Sequence, residues 1–360
     1  MTNRAFGRLA RLASLALLPA ALAACNDDPS LPPGNTSTRL EVIVNSISNS
    51  LTLVSADSVT PSTRTVSLGA QGSPVGAAVR REWAIVPLGT YPFAAVVDLR
   101  SGTVTRTVGL PANSGATGAG FVNDSIAFVG NPARNTVSPV NVRSGVVGAE
   151  VQVGTYPHAI VEGFNAVFVL NANLVNFAPA GPGSVSVINA AGQVVATIPL
   201  SGINPTDGVV VGNTLVVINS GEFGKANGSL SLVSLATGTE VAHIPGFGEF
   251  PGSVDVGPDG LVYVGVYGSG ILVWNPGSGQ FVRGPNNPLV PGGAPPVADI
   301  AFDYLGRLHT LNPGNCTPGT PGKEYGLAQP YTSVERTVAT GVCPFSIDFT
   351  VIPTTGSPAQ

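Results

Sequence analysis

The feature that most constrains this chain is a repeat. A strand-like segment of form Φ-x-Φ-x-Asn, with Φ apolar, ends at Asn45, Asn131, Asn171, Asn219 and Asn312, and two weaker copies end at Pro87 and Val266. These seven landmarks lie 42, 44, 40, 48, 47 and 46 residues apart, the length of one four-stranded propeller blade. Residues 184–219 show what one unit contains: short Val- and Ile-rich strand patterns closed by Ala191-Gly192, Ser201-Gly202 or Gly212-Asn213, with no helix-length amphipathic segment. The repeat therefore predicts an all-β chain, a seven-bladed β-propeller of four-stranded antiparallel blades over residues 39–353.

A second landmark precedes the first. Pro74, Pro157, Pro205, Pro251, Pro296 and Pro344 stand at predicted strand starts, with Thr117 once in their place. Proline is admissible there because the ladder does not yet need its missing N–H. The first copy lacks such a starting strand, whereas residues 343–351 form one with no copy after it. The C-terminal strand is thus expected to complete the first blade and remove the open edge of the ring.

The succession Pro-x-x-Val-x-Val, Φ-x-Φ-x-Asn, Ser-Val-Ser-Val-Ile-Asn-x-x-Gly and Val-x-x-Thr-Ile-Pro-Leu resembles the YVTN-type β-propeller repeat of bacterial surface and periplasmic proteins. The resemblance covers roughly residues 39–352, weakens at Pro87 and Val266, and meets a long insertion around Cys316. It implies the propeller fold; relatives range from inert scaffolds and binding proteins to lactone hydrolases and quinone-dependent dehydrogenases.

Residues 1–25 read as a secretion signal, with Arg4, Arg8 and Arg11 ahead of a short apolar run. Its end, Leu22-Ala23-Ala24-Cys25, resembles a bacterial lipobox, which implies a lipidated Cys25 and anchoring in the cell envelope, at the outer membrane rather than the inner one. An ordinary signal cleaved near Ala-x-Ala is the other reading. Residues 26–38 form a flexible polar tether rich in Pro, Gly and Ser, and residues 354–360 a disordered tail. With Cys25 lipidated, Cys316 and Cys343 remain, and an even remainder in an exported chain favours a disulfide between them.

Charge narrows the partners. The chain has 16 Lys+Arg and 20 Asp+Glu; without the three signal arginines it carries 13 against 20, a formal charge of −7. No basic patch is available to displace counterions from nucleic acid. The expected partner is an envelope protein or polysaccharide, with the membrane engaged through the lipid, the propeller monomeric in the periplasm or at the cell surface, and no cofactor.

The long connections, 171–183, 219–228 and 312–326, fall on the face that carries the loops after second and fourth strands. Loops on a rigid scaffold are where binding resides. The binding-face candidates are Tyr156, His158, Asn173, Phe177, Glu222, Phe223, Lys225 and Phe250. The function expected is a non-catalytic binding or scaffolding module; the alternative is a lactonase-like or other hydrolase at the channel mouth, with His158, Asp207 and Glu249 as its catalytic set. The recurrent Asn residues have two readings, a structural strand-end role or a ring of amides for a polar ligand. His243 and His309 lie in strand patterns without His-x-His or His-x-x-x-His spacing, so no metal site is expected. Gly-x-Ser-x-Gly, Gly-x-x-x-x-Gly-Lys and Cys-x-x-Cys-His are absent, and Trp83 and Trp274 are too few for a repeated tryptophan docking pattern.

Overall fold

The computed structural model describes residues 37–353 apart from Val59 and Ala294. The expected signal, Cys25, most of the tether and the tail lie outside the described residues. Among the described residues seven four-stranded antiparallel sheets form the blades, beside one small two-stranded hairpin, and we name the blade strands a to d from the channel outwards. The seven b strands are Thr38–Asn45, Trp83–Pro87, Ile126–Asn131, Ala166–Asn171, Thr214–Asn219, Val262–Val266 and Leu308–Asn312. Every one ends on the residue that the repeat marks.

The ring closes as expected. Pro344–Ile352 is strand a of blade one and pairs with Thr38–Asn45 from Thr38↔Ile352 to Asn45↔Pro344. Each blade is too thin to cover its own two faces, so the apolar side chains interdigitate between blades instead, in seven clusters, one for each neighbouring pair. Among the described residues no helix is long and apolar enough to cross a membrane.

Strand a begins on its proline at Pro157, Pro205, Pro251 and Pro344. In blades two and seven it is shorter and starts beyond Pro74 and Pro296, at Ala78 and Asp299. Two adjacent prolines, Pro295 and Pro296, remove consecutive ladder donors in the second case. The Cys316–Cys343 disulfide is present, with Cα atoms 4.6 Å apart. It ties the blade-seven insertion to the start of the closing strand, and a loop of this length contributes roughly 3–4 kcal/mol in the chain-entropy account.

The strand-end asparagines have a structural duty. Asn219 Nδ2 donates to Ser229 O, Ser229 Oγ and Ser231 Oγ at 3.2, 3.3 and 2.9 Å. Asn171 bonds Ser184 and Ser186, Asn131 bonds Thr136 and Ser138, and Asn45 bonds Ser50 and Thr52 in the same way. The amide thus locks the start of strand c to the end of strand b. A glycine of the preceding blade lies over it: a Cβ at Gly202 would come within 2.1 Å of the Asn219 amide.

Asn219→Ala is expected to cost about 1–3 kcal/mol, because buried hydroxyls and a carbonyl lose their donor. Asn219→Asp is expected to cost more, since it also buries a charge facing oxygens. Urea unfolding of the three proteins gives the ranking; an Asp variant as stable as wild type would refute the amide's donor role.

Candidate functional site

The chemistry that strand a places around the channel comes from a local irregularity. In blades four, five, six and one, the a–b register slips just after the first proline, between Pro157 and Ala159, Pro205 and Asp207, Pro251 and Ser253, and between Val44 and Asn45 opposite Pro344. A bulge leaves one residue unpaired and re-aims its side chain. The unpaired residues are His158, Thr206, Gly252 and Phe345, and all four line one cavity of about 310 Å³ in the channel mouth. Blades two, three and seven complete the wall with Val75, Thr117 and Ala298 among others. The scaffold repeats while the residue at the bulge changes from imidazole to hydroxyl to nothing to phenyl.

The residue before each of these prolines adopts positive φ: Tyr156 (57°), Asn204 (57°), Phe250 (55°) and Cys343 (60°). Only Asn204 suits that conformation readily. The turn brings two aromatic rings to the rim. Tyr156 lies 6.4 Å from the His158 ring and 6.3 Å, edge to face, from Phe177. Phe250 meets Phe223 edge to face at 5.9 Å. Phe177 sits in the two-residue turn of a small hairpin, Leu174–Val175 with Ala178–Pro179, whose turn residues Asn176 and Phe177 both have positive φ. Phe177 and Phe223 are 85% and 86% exposed, far beyond what packing needs.

The other candidates shape loops. Asn173 Nδ2 donates to Pro182 O at 3.0 Å. Lys225 Nζ bonds Glu222 at 2.8 Å, and Asn227 braces the same carboxylate at 3.0 Å. The His158, Asp207 and Glu249 set is brought together in part. His158 and Asp207 line the cavity, whereas Glu249 is exposed and is not among the lining residues. His158 Nδ1 faces Thr206 O at 3.3 Å, and burial lowers its pKa against that hydrogen bond. Asp207 Oδ2 accepts the Val254 N–H at 2.9 Å.

That last contact belongs to a pattern that sequence reasoning missed. Strand a is the exposed edge of each sheet, and its outward N–H groups need acceptors. Asp255 accepts from Phe302 N at 2.7 Å, Asp299 from Ile347 N at 2.9 Å and Glu162 from Phe121 N at 2.6 Å, each reaching a neighbouring blade. Burial pushes these carboxyls up, Asp255 to about 6, Asp207 and Glu162 to about 7 and Asp299 well above its ordinary value, and it raises Asp348, which accepts the N–H of Phe349 in its own strand, to about 8. The repeated Ser253-Val254-Asp255 and Ser346-Ile347-Asp348 was the available signal; the alternation of Asp207 and Asp299 one level higher was hidden by the bulges.

No protein-family model matches the chain, and no curated protein matches it. Among solved structures it is similar to hydrazine synthase of Kuenenia stuttgartiensis, at 16% identity and a TM-score of 0.59 over 80% of this chain and 98% of that one. It is similar also to the WD40 β-propeller domain of Doa1, at 15% identity and a TM-score of 0.54 over 77% and 90%. At these identities the likeness shows the fold alone. The chain is a seven-bladed β-propeller, an architecture compatible with a binding or scaffolding role.

A carboxyl whose pKa is higher in the folded than in the unfolded chain stabilises the fold fully only below the unfolded value, and the contribution is lost as pH rises through the folded one. Asp348→Asn keeps the shape and removes the titration. Between pH 4 and pH 8 the melting temperature of wild type is expected to fall relative to that of Asp348→Asn; a pH-independent difference would show that Asp348 is ionised throughout.

Proposed function

We propose that this chain is a cell-envelope lipoprotein of the YVTN type whose propeller binds a partner through the long-loop face, without catalysis. The observation that supports the binding reading best is the set of bulges. Four equivalent positions, His158, Thr206, Gly252 and Phe345, are released from the ladder into one cavity and carry different side chains, while the strands that hold them repeat. A purely structural ring has no use for that divergence.

The aromatic pairs at the rim support the same face. Exposed Phe177 and Phe223, each held by a second ring, offer apolar contact at low entropic cost. Lipidation of Cys25 and outer-membrane placement rest on the lipobox-like sequence, and the partner expected is an envelope protein or polysaccharide. Hydrolysis is less favoured, since Glu249 stands apart and the described hydrogen bonds join His158 to a carbonyl, not to a carboxylate.

Gly252 gives a direct test, because a Cβ built there meets nothing within 4 Å. Gly252→Trp is expected to plug the mouth without lowering the melting temperature. Crosslinked capture from the native membranes should recover a stoichiometric partner with wild type, and lose it with Phe177→Ala/Phe223→Ala if the rim carries binding. Loss in Gly252→Trp as well would extend the contact into the mouth. Equal capture by all three proteins would remove this face from consideration. Mass spectrometry of the N-terminal peptide tests acylation of Cys25 separately.

A further inference from the structure

The seam between blades seven and one differs from the other interfaces. Its apolar cluster has five buried side chains, Ile43, Val54, Leu311, Val338 and Ile347, against fifteen between blades one and two. Charged groups occupy the remaining interior. Glu41 comes from strand b of blade one, His309, Glu324 and Arg336 from strands b, c and d of blade seven, and Asp303 and Arg307 from the a–b turn of blade seven. Glu41, His309 and Glu324 are fully buried, and Arg336 and Asp303 nearly so.

Arg336 Nη2 bridges the seam to Glu41 Oε2 and also bonds Glu324 Oε1 at 3.2 Å. Glu41, His309 and Glu324 place ligand atoms within 4.8 Å of one another, but this guanidinium sits among them as the protein's own cation. Arg307 Nε bonds Asp303 Oδ2 at 2.7 Å and its Nη2 crosses the seam to Ala56 O. Three carboxylates thus meet two guanidiniums. With all three ionised, one further positive charge balances the cluster, and an uncompensated buried charge is costly.

The imidazole is the group placed to supply it. His309 Nδ1 lies 2.7 Å from Glu324 Oε1 and Nε2 lies 3.1 Å from Asp303 Oδ2. A neutral imidazole has one N–H, which would leave a ring lone pair facing a carboxylate oxygen. Arg336 Nη2 is also 3.1 Å from Nδ1, which would suit a neutral acceptor nitrogen. The shorter contact decides: two N–H donors can share the Glu324 oxygen, whereas two lone pairs at 2.7 Å repel. The Phe349 ring, 4.9 Å away and edge to face, closes the remaining side.

We propose that His309 is an imidazolium in the folded protein and that this one proton is part of what holds the last blade to the first, making ring closure sensitive to alkaline pH. The direction of its pKa agrees: hydrogen bonds to Asp303 and Glu324 and the charges of Glu41 and Glu324 raise it, against burial. Burial raises Glu41 to about 7, while its partners hold Asp303 at about 2 despite burial. For His309 the stabilisation is complete below its unfolded value, near 6.5, and is lost as pH rises through the raised folded value. Glu41 shifts in the same sense, so both weaken the seam as pH rises.

The test is two-bond ¹⁵N–¹H correlation of the histidine rings in the full chain at pH 7.5, assigned with His158→Gln and His243→Gln so that the seam is untouched. One imidazolium signal that persists in both variants is the expected result. Neutral rings throughout, or a sole imidazolium signal that disappears with either His158→Gln or His243→Gln, would overturn the proposal. Calorimetry adds a second readout: the melting-temperature advantage of wild type over His309→Gln should shrink between pH 6 and pH 9, and a constant advantage would count equally against it. Should His309→Gln fail to fold, the spectra of the other three proteins still decide.

Discussion

No blade of this protein can bury its own two faces. Each sheet is four strands wide and one layer thick, and its apolar side chains on both sides need a neighbour. The order of the clusters around the ring follows from this: Leu53 and Val86 meet between blades one and two, Val216 and Val264 between five and six. A row of blades would leave two faces open. Closure by Pro344–Ile352 covers both at once, and the Cys316–Cys343 bridge fastens the strand that does it.

Closure creates a second problem, since seven sheet edges then face one channel. The carboxylates of Asp207, Asp255, Asp299 and Glu162 answer it by accepting N–H groups from neighbouring inner strands. They link the blades at the narrowest radius, where apolar side chains have least room. Burial raises their pKa values, which makes the channel wall less negative near neutrality than its composition suggests. Hydrogen bonding and channel charge are therefore one property of this ring.

The mouth departs from regularity in a different way. Bulges after Pro157, Pro205, Pro251 and Pro344 release one side chain each without disturbing the ladder beyond, so those positions vary at little cost to the fold. The seam between blades seven and one departs by exchanging apolar packing for an ionic network around His309. One irregularity frees side chains into the channel mouth, the other places an ionic cluster at the joint between the last blade and the first. Both depend on a scaffold whose remaining contacts are repetitive.

The sequence by itself determined the number of blades, the end of every b strand and the identity of the closing strand, because period, alternation and turn residues act locally and recur seven times. It also favoured the disulfide, through an even cysteine remainder. It could not show which face of a strand His309 occupies relative to Glu41, 268 positions earlier, nor that Arg336 would stand between them. Asp299 escaped notice because its strand runs without the bulge that precedes Asp207, so the two stand at different distances from their prolines, and Glu162 because it reaches back to Phe121 of the preceding blade, where no repeated position matches it. His158 was legible as a residue near the mouth, but the contact of its ring with Thr206 O was not. Local pattern is written along the chain, whereas burial, charge pairing and proton affinity arise only when residues distant in sequence share one low-dielectric space, and closure of the ring is what brings them there.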